Sequence, residues 1–173
     1  MFIIDTIKKE DATGKLKLLY QMIEKNLGFI PPHFELMATI DIKAMKDFLD
    51  YNTYMMTHTK IDRNLMPFLR LYIAQKECRN YCIQFNTQLL QNMGVNEAII
   101  SDLENHLDNI HVEPTQKILL KKVIKALYHA DKFEKKDLET LYDAGFNDKD
   151  FYDILEYATV FMGKSKLIEV YHK

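Results

Sequence analysis

Apolar residues recur at steps of three and four along most of the chain, and the strict alternation of strands is nearly absent. The longest such pattern spans residues 63–94. In it Leu71, Ala74, Cys78, Cys82, Phe85, Leu89 and Met93 fall on one face of a helix. Gly94 supplies a C-cap, and Val95, Asn96 and Glu97 open the next element. Upstream, Leu16, Leu19, Tyr20 and Ile23 predict a first helix, capped by Asp11 or Thr13 and ended by Gly28. Pro31 and Pro32 force a non-helical entry to a short helix from His33. A helix over residues 41–57 turns Ala44, Phe48, Tyr51 and Met55 inward, with Asp41 as its N-cap. Residues 58–62 are a link, and Asp62 caps the central helical region. Downstream, a short helix is predicted over 96–106 and an amphipathic one over 115–129, carrying Ile118, Leu119, Val123, Ile124 and Leu127. A short helix over 133–142 stops at Gly145, and a last one runs over 148–168 with Phe151, Ile154, Leu155, Ala158, Phe161 and Met162 inward. Residues 1–9 read as an extended arm, whose Ile3, Ile4 and Ile7 pack on the body or on a neighbouring subunit. The expected fold class is all-α.

The central pattern allows two structures. One helix runs on to Met93, or the chain breaks near residues 76–80 and restarts. Pro67 is tolerated in either case if it lies in a first turn. Both cysteines of the chain, Cys78 and Cys82, fall at this point.

Composition narrows the picture. With 173 residues, 47% of them hydrophobic, the chain suits one domain over 1–173 with a substantial core. Five glycines and four prolines leave room for long helices. A net charge of -2 gives no electrostatic case for nucleic acid or an anionic membrane. No apolar run approaches the ~20 residues that span a bilayer. The opening MFIIDTIKKED lacks the basic and long apolar regions of a signal peptide, so the expected location is cytoplasmic. Thiols there are usually reduced, and two cysteines are too few for a disulfide framework.

The 63–94 stretch resembles the core of the AhpD-like / carboxymuconolactone decarboxylase superfamily, in its peroxidase-related branch. Those helical proteins share Glu-x11-Cys-x-Tyr-Cys-x3-His, and Tyr81-Cys82 matches its centre. The motif is degenerate here. Its first cysteine falls on Arg79, its histidine on Asn86 and its glutamate on Pro67, while Cys78 stands one residue early. Gly28, Pro31 and Phe34 fit the family's Gly-x-x-Pro entry to a short helix, and residues 137–168 resemble its closing unit. The resemblance covers about residues 12–168. It implies an AhpD-like antiparallel helical bundle, a break before Cys82, and a homo-oligomer. It also implies thiol-dependent, alkylhydroperoxidase-type antioxidant chemistry on a hydroperoxide or disulfide, with no cofactor.

Such chemistry needs a thiolate. By the resemblance Cys82 is the reactive thiol and Tyr81 its matched neighbour. Cys78 is a displaced partner, Asn86 stands where a proton carrier is expected, and Glu77 is a substitute base. A helix restarting near Asn80 puts Cys82 in its first turn, where the dipole and Arg79 lower its pKa. In an unbroken helix Cβ atoms four apart lie about 5–6 Å from each other. A disulfide wants about 3.5–4.5 Å, so a Cys78–Cys82 bond needs unwinding. Asn86 cannot take a proton at neutral pH. Glu77, between Lys76 and Arg79, also reads as a solvated surface charge, and nothing in the spacing brings His58 to the thiols. The competing reading is ordinary core packing of both cysteines, which yields a catalytically inactive scaffold or a small-molecule-binding protein. Zinc wants two ligands more than the cysteines supply, and the six histidines form no ligand motif, so no metal is expected. Phe48, Tyr51, Tyr54, Tyr72, Tyr81 and Phe85 are core, or line an apolar pocket near the thiols.

Overall fold

Helix is the only extended regular structure among the described residues of this computed structural model, which cover 2–173; Met1, the first residue of the expected arm, lies outside them. The helices are α1 (Gly14–Leu27), α2 (Pro32–Ile40), α3 (Ile42–Met56), α4 (Leu65–Lys76), α5 (Asn80–Asn92), α6 (Glu97–Ser101), α7 (Pro114–Tyr128), α8 (Lys135–Asp143) and α9 (Asp148–Tyr171). The chain forms two compact units, one of residues 1–54 with 170–173, the other of residues 55–169.

In the first unit the arm leads to α1 through a single 3-10 turn, Lys9–Asp11. Thr13 stands at the N-cap of α1 without a side-chain capping bond, and Gly28 closes the helix at φ 81°. Leu16, Tyr20 and Ile23 form its buried stripe. The arm is tied down by polar bonds; Ile4 and Ile7 are half-buried, and Ile3, expected to pack, is 56% exposed. The Tyr20 hydroxyl donates to the Ile7 carbonyl at 2.9 Å, and the Ile7 N–H donates to Thr39 Oγ1 at 2.8 Å. Ile3 N–H donates to the Tyr171 carbonyl at 2.8 Å, beside an antiparallel bridge between Phe2 and His172. Pro31 and Pro32 lead into α2, whose His33, Phe34, Leu36, Met37 and Ala38 are buried. Asp41 caps α3 by accepting from the Lys43 N–H at 2.8 Å. On α3, Met45 is fully buried while the expected Ala44, Phe48 and Tyr51 are half-buried.

The second unit is arranged around α4. Its residues 65–69 and 71–74 are all buried, a helix apolar nearly all round, as a central helix must be. α5 and α7 pack against it, with the turn Leu103–His106. Asp62 caps its approach by accepting from the Asn64 N–H at 2.8 Å, and Pro67 sits in the first turn, where its missing N–H costs nothing. The link at 58–62 is held by two devices. Gln116 on α7 accepts from the Asp62 N–H at 3.0 Å and donates to the Lys60 carbonyl at 2.8 Å. His58 Nδ1 accepts the N–H groups of Lys60 and Ile61 at 3.2 and 3.1 Å, which puts its proton on Nε2, 3.3 Å from Asp153. α8 opens with a capping box between Glu134 and Asp137. On α9, Phe151, Ile154 and Ala158 are buried as expected, whereas Leu155, Phe161 and Met162 are half-buried.

Of the two structures that the central pattern allows, the chain adopts the break near residues 76–80. α4 ends at Lys76 and α5 begins at Asn80, so Cys78 lies in neither helix. The stripe belongs to two helices, and its last member, Met93, is 44% exposed.

Candidate thiol site at the helix break

The break is a Schellman turn built without glycine. The Arg79 N–H donates to the Ala74 carbonyl at 2.9 Å, and the Cys78 N–H to the Gln75 carbonyl at 3.3 Å. That geometry demands a left-handed residue, and Cys78 supplies it at φ 53°. The same turn closes α5, where Gly94 sits at φ 77°, and α8, where Gly145 sits at φ 92°. Cys78 therefore does at the end of α4 what glycine does at the other two. It is solvent-exposed, so core packing, one of the two readings of the cysteines, does not describe it.

Arg79 is the residue before α5, and Cys82 is its third residue. Cys82 thus lies in the first turn, where the helix dipole favours a thiolate. Its surroundings oppose that effect. The side chain is 3% exposed, and the thiol is pushed up to about 12. Burial is the main cause, and the Glu169 carboxylate adds to it. The charges of Arg70 and Arg79 pull the other way and lose. Both cysteines are free thiols.

The residues expected around the thiol have their own partners. Tyr81 is buried, stacks on Phe85 with ring centroids 6.4 Å apart, and directs its N–H at Glu169 Oε2, 3.4 Å away. Asn86 is buried. Its Nδ2 donates to the Cys82 carbonyl at 2.8 Å, and its Oδ1 accepts from Arg70 Nε at 2.8 Å. Arg70 also donates through Nη1 to the Tyr157 hydroxyl on α9 at 2.7 Å. Glu77 pairs with Arg79 at 3.3 Å. His58 is held by Asp153 and the link backbone, which occupies both of its ring nitrogens. Pro67 has no acid function to offer.

Where a proton relay is expected there is thus a hydrogen-bond chain from Tyr157 through Arg70 and Asn86 to the backbone of Cys82. Neither an arginine nor an amide side chain exchanges a proton near neutral pH. Sequence reasoning missed Arg70, Tyr157 and Glu169. One signal was available for Arg70: it is the lone charged residue inside the apolar run 65–74. Nothing local marks Tyr157 or Glu169, which meet the thiol only through the fold.

Two solved structures show that this arrangement of helices is the AhpD-like fold. The chain is similar to an uncharacterized peroxidase-related protein from Silicibacter sp. TM1040, with 16% identity and a TM-score of 0.74 over 97% of this chain and 85% of that one. It is also similar to an alkylhydroperoxidase AhpD core, an uncharacterized peroxidase-related protein from Ralstonia eutropha JMP134. There the identity is 14% and the TM-score 0.77, over 96% of this chain and 88% of that one. At these identities the likeness is one of fold. No protein-family profile matches the chain, and no curated protein matches it.

Proposed function

We propose that this chain is a catalytically silent protein of the AhpD-like fold, acting as a homo-oligomeric or small-molecule-binding scaffold, and that Cys82 is a spectator thiol. The burial of Cys82 carries this reading. A thiol titrating at about 12 is ionised in only about one molecule in 10⁵ at pH 7, and the unionised thiol is a poor nucleophile. The Arg70–Asn86 pair supports the reading from another side, because it fills the relay with groups that hold their protons. Exposed Leu18 and Met22, one turn apart on α1, suit an oligomer contact.

The test is alkylation of Cys82 against pH in the Cys78→Ser variant, followed by mass spectrometry, with hydroperoxide turnover measured alongside. The expected result is slow modification that is still rising at pH 10, with no turnover. A rate that levels off below about pH 7.5 sinks the proposal.

One observation favours a second reading, a thiol-dependent oxidoreductase with Cys82 reactive and Cys78 as its partner. The chain is already unwound at Cys78, so the spacing that bars a disulfide within a helix does not apply. Glu77, held by Arg79, would be the base. This reading requires hydroperoxide- or disulfide-dependent formation of a Cys78–Cys82 bond, which a peptide map of the oxidised protein detects directly.

A further inference from the structure

We propose that Arg70, braced by Asn86 and Tyr157, is the anchor of a binding site for a small monocarboxylate. The proposal deepens the binding half of the silent-scaffold reading and rests on it, in that Cys82 is taken as a bystander.

Arg70 stands in the apolar run of α4 and is half-buried. A half-buried cation gains from a counter-charge. Arg70 has none: no carboxylate pairs with it among the described residues. Glu77 holds Arg79 at 3.3 Å, and Glu169 faces the N–H of Tyr81. Both acceptors that Arg70 does use, Asn86 Oδ1 and the Tyr157 hydroxyl, are uncharged.

Those two bonds do a different job. They grip the guanidinium at Nε and Nη1 from two helices, α5 and α9, and fix its plane. Asn86 is itself fixed by its bond to the Cys82 carbonyl at 2.8 Å. A guanidinium has five N–H donors, so Nη2 and the second N–H of Nη1 remain. That pair is a fork, and a pre-set fork matches the two oxygens of a carboxylate. Glu169, whose Oε2 lies 3.4 Å from the N–H of Tyr81 on the helix that carries Asn86, places a negative charge on this side of the unit. It repels a dianion more than a monoanion, so a carboxylate is favoured over a phosphate.

The test is a titration of the full chain with sodium acetate and sodium butyrate, against sodium phosphate, at constant ionic strength. The readouts are the Nε–H NMR signals of the arginines and the melting temperature. The carboxylates are expected to move the Arg70 signal saturably and raise the melting temperature. Arg70→Gln should weaken binding at least tenfold, and Arg79→Gln should leave it within twofold. Binding by Arg70→Gln within twofold of the parent overturns the proposal. So does an Arg70 signal that no carboxylate moves, which decides the matter even if Arg70→Gln does not fold. Phosphate binding as tight as acetate overturns the assigned ligand class. The same titration on Cys82→Ser separates this site from the thiol reading: binding should persist there, whatever the hydroperoxide assay gives.

Discussion

At the scale of single residues, Cys78 carries a conformation that its side chain opposes. A left-handed backbone costs a residue with a Cβ roughly 1–2 kcal/mol, and glycine avoids that cost. Glycine loses part of the gain through its freer unfolded chain. Cys78→Gly is therefore expected to stabilise the protein by about 0.5–1 kcal/mol, read as a higher urea midpoint at unchanged slope. Destabilisation would mean that the exposed thiol makes a contact of its own. The same residue explains why the break is hard to read from sequence. Gly94 and Gly145 announce their turns, and Gly28 announces the end of α1. The turn at Cys78 has the same hydrogen bonds but no glycine, so periodicity carries the stripe straight across it. Cys82 is legible as a first-turn residue once a break is allowed. Its burial is not, because burial is set by helices distant in sequence.

At the scale of elements, local signals do well where a cap or a proline punctuates the chain. Asp41, Asp62 and Pro67 hold the positions that their chemistry predicts. The junction of α7 with α8 shows what such signals leave out. Asp137 stands in the first turn of α8, and its carboxylate is 2% exposed and accepts from Lys122 and Lys125, both on α7, at 2.6 Å. It also accepts from the Glu134 N–H at 2.9 Å. These bonds, led by those to Lys122 and Lys125, hold the carboxyl far below the usual carboxylate range. Removing the charged partner of such a half-buried network costs about 1–3 kcal/mol, and Asp137→Asn should lose about that at pH 7. The sign with pH comes from the lowered pKa. The stabilisation is complete above the unfolded value of about 3.9 and drains away as pH falls towards the folded one. Urea midpoints of the parent and Asp137→Asn should therefore converge between pH 4 and pH 2. A constant gap over that range would assign the loss to packing instead of charge.

At the scale of the whole molecule, helix order is legible because 3.6-residue periodicity survives even where packing partners are unknown. The hydrogen-bond chain at the thiol is not, since Arg70, Asn86 and Tyr157 meet only in three dimensions. The same distinction governs alkaline stability. Burial pushes up both the Tyr20 hydroxyl in the first unit, with the Glu35 charge adding to it, and the Cys82 thiol in the second, each to about 12. For both, the folded protein holds its proton more tightly than the unfolded chain does. Their contribution is fully present below the unfolded pKa values, about 8.5 for a thiol and about 10 for a phenol. It is lost as pH rises towards 12, because the unfolded chain releases the proton first. Each pH unit above the unfolded thiol value should remove roughly 1.4 kcal/mol through Cys82 alone. Tyr20 joins one to two units later. Urea denaturation at pH 8, 9.5 and 10.5 should therefore show a falling midpoint. The fall should be shallower in Cys82→Ser, whose hydroxyl does not titrate in this range. Equal slopes in the two proteins would mean that the Cys82 thiol ionises as readily folded as unfolded. Its burial would then no longer support a silent role.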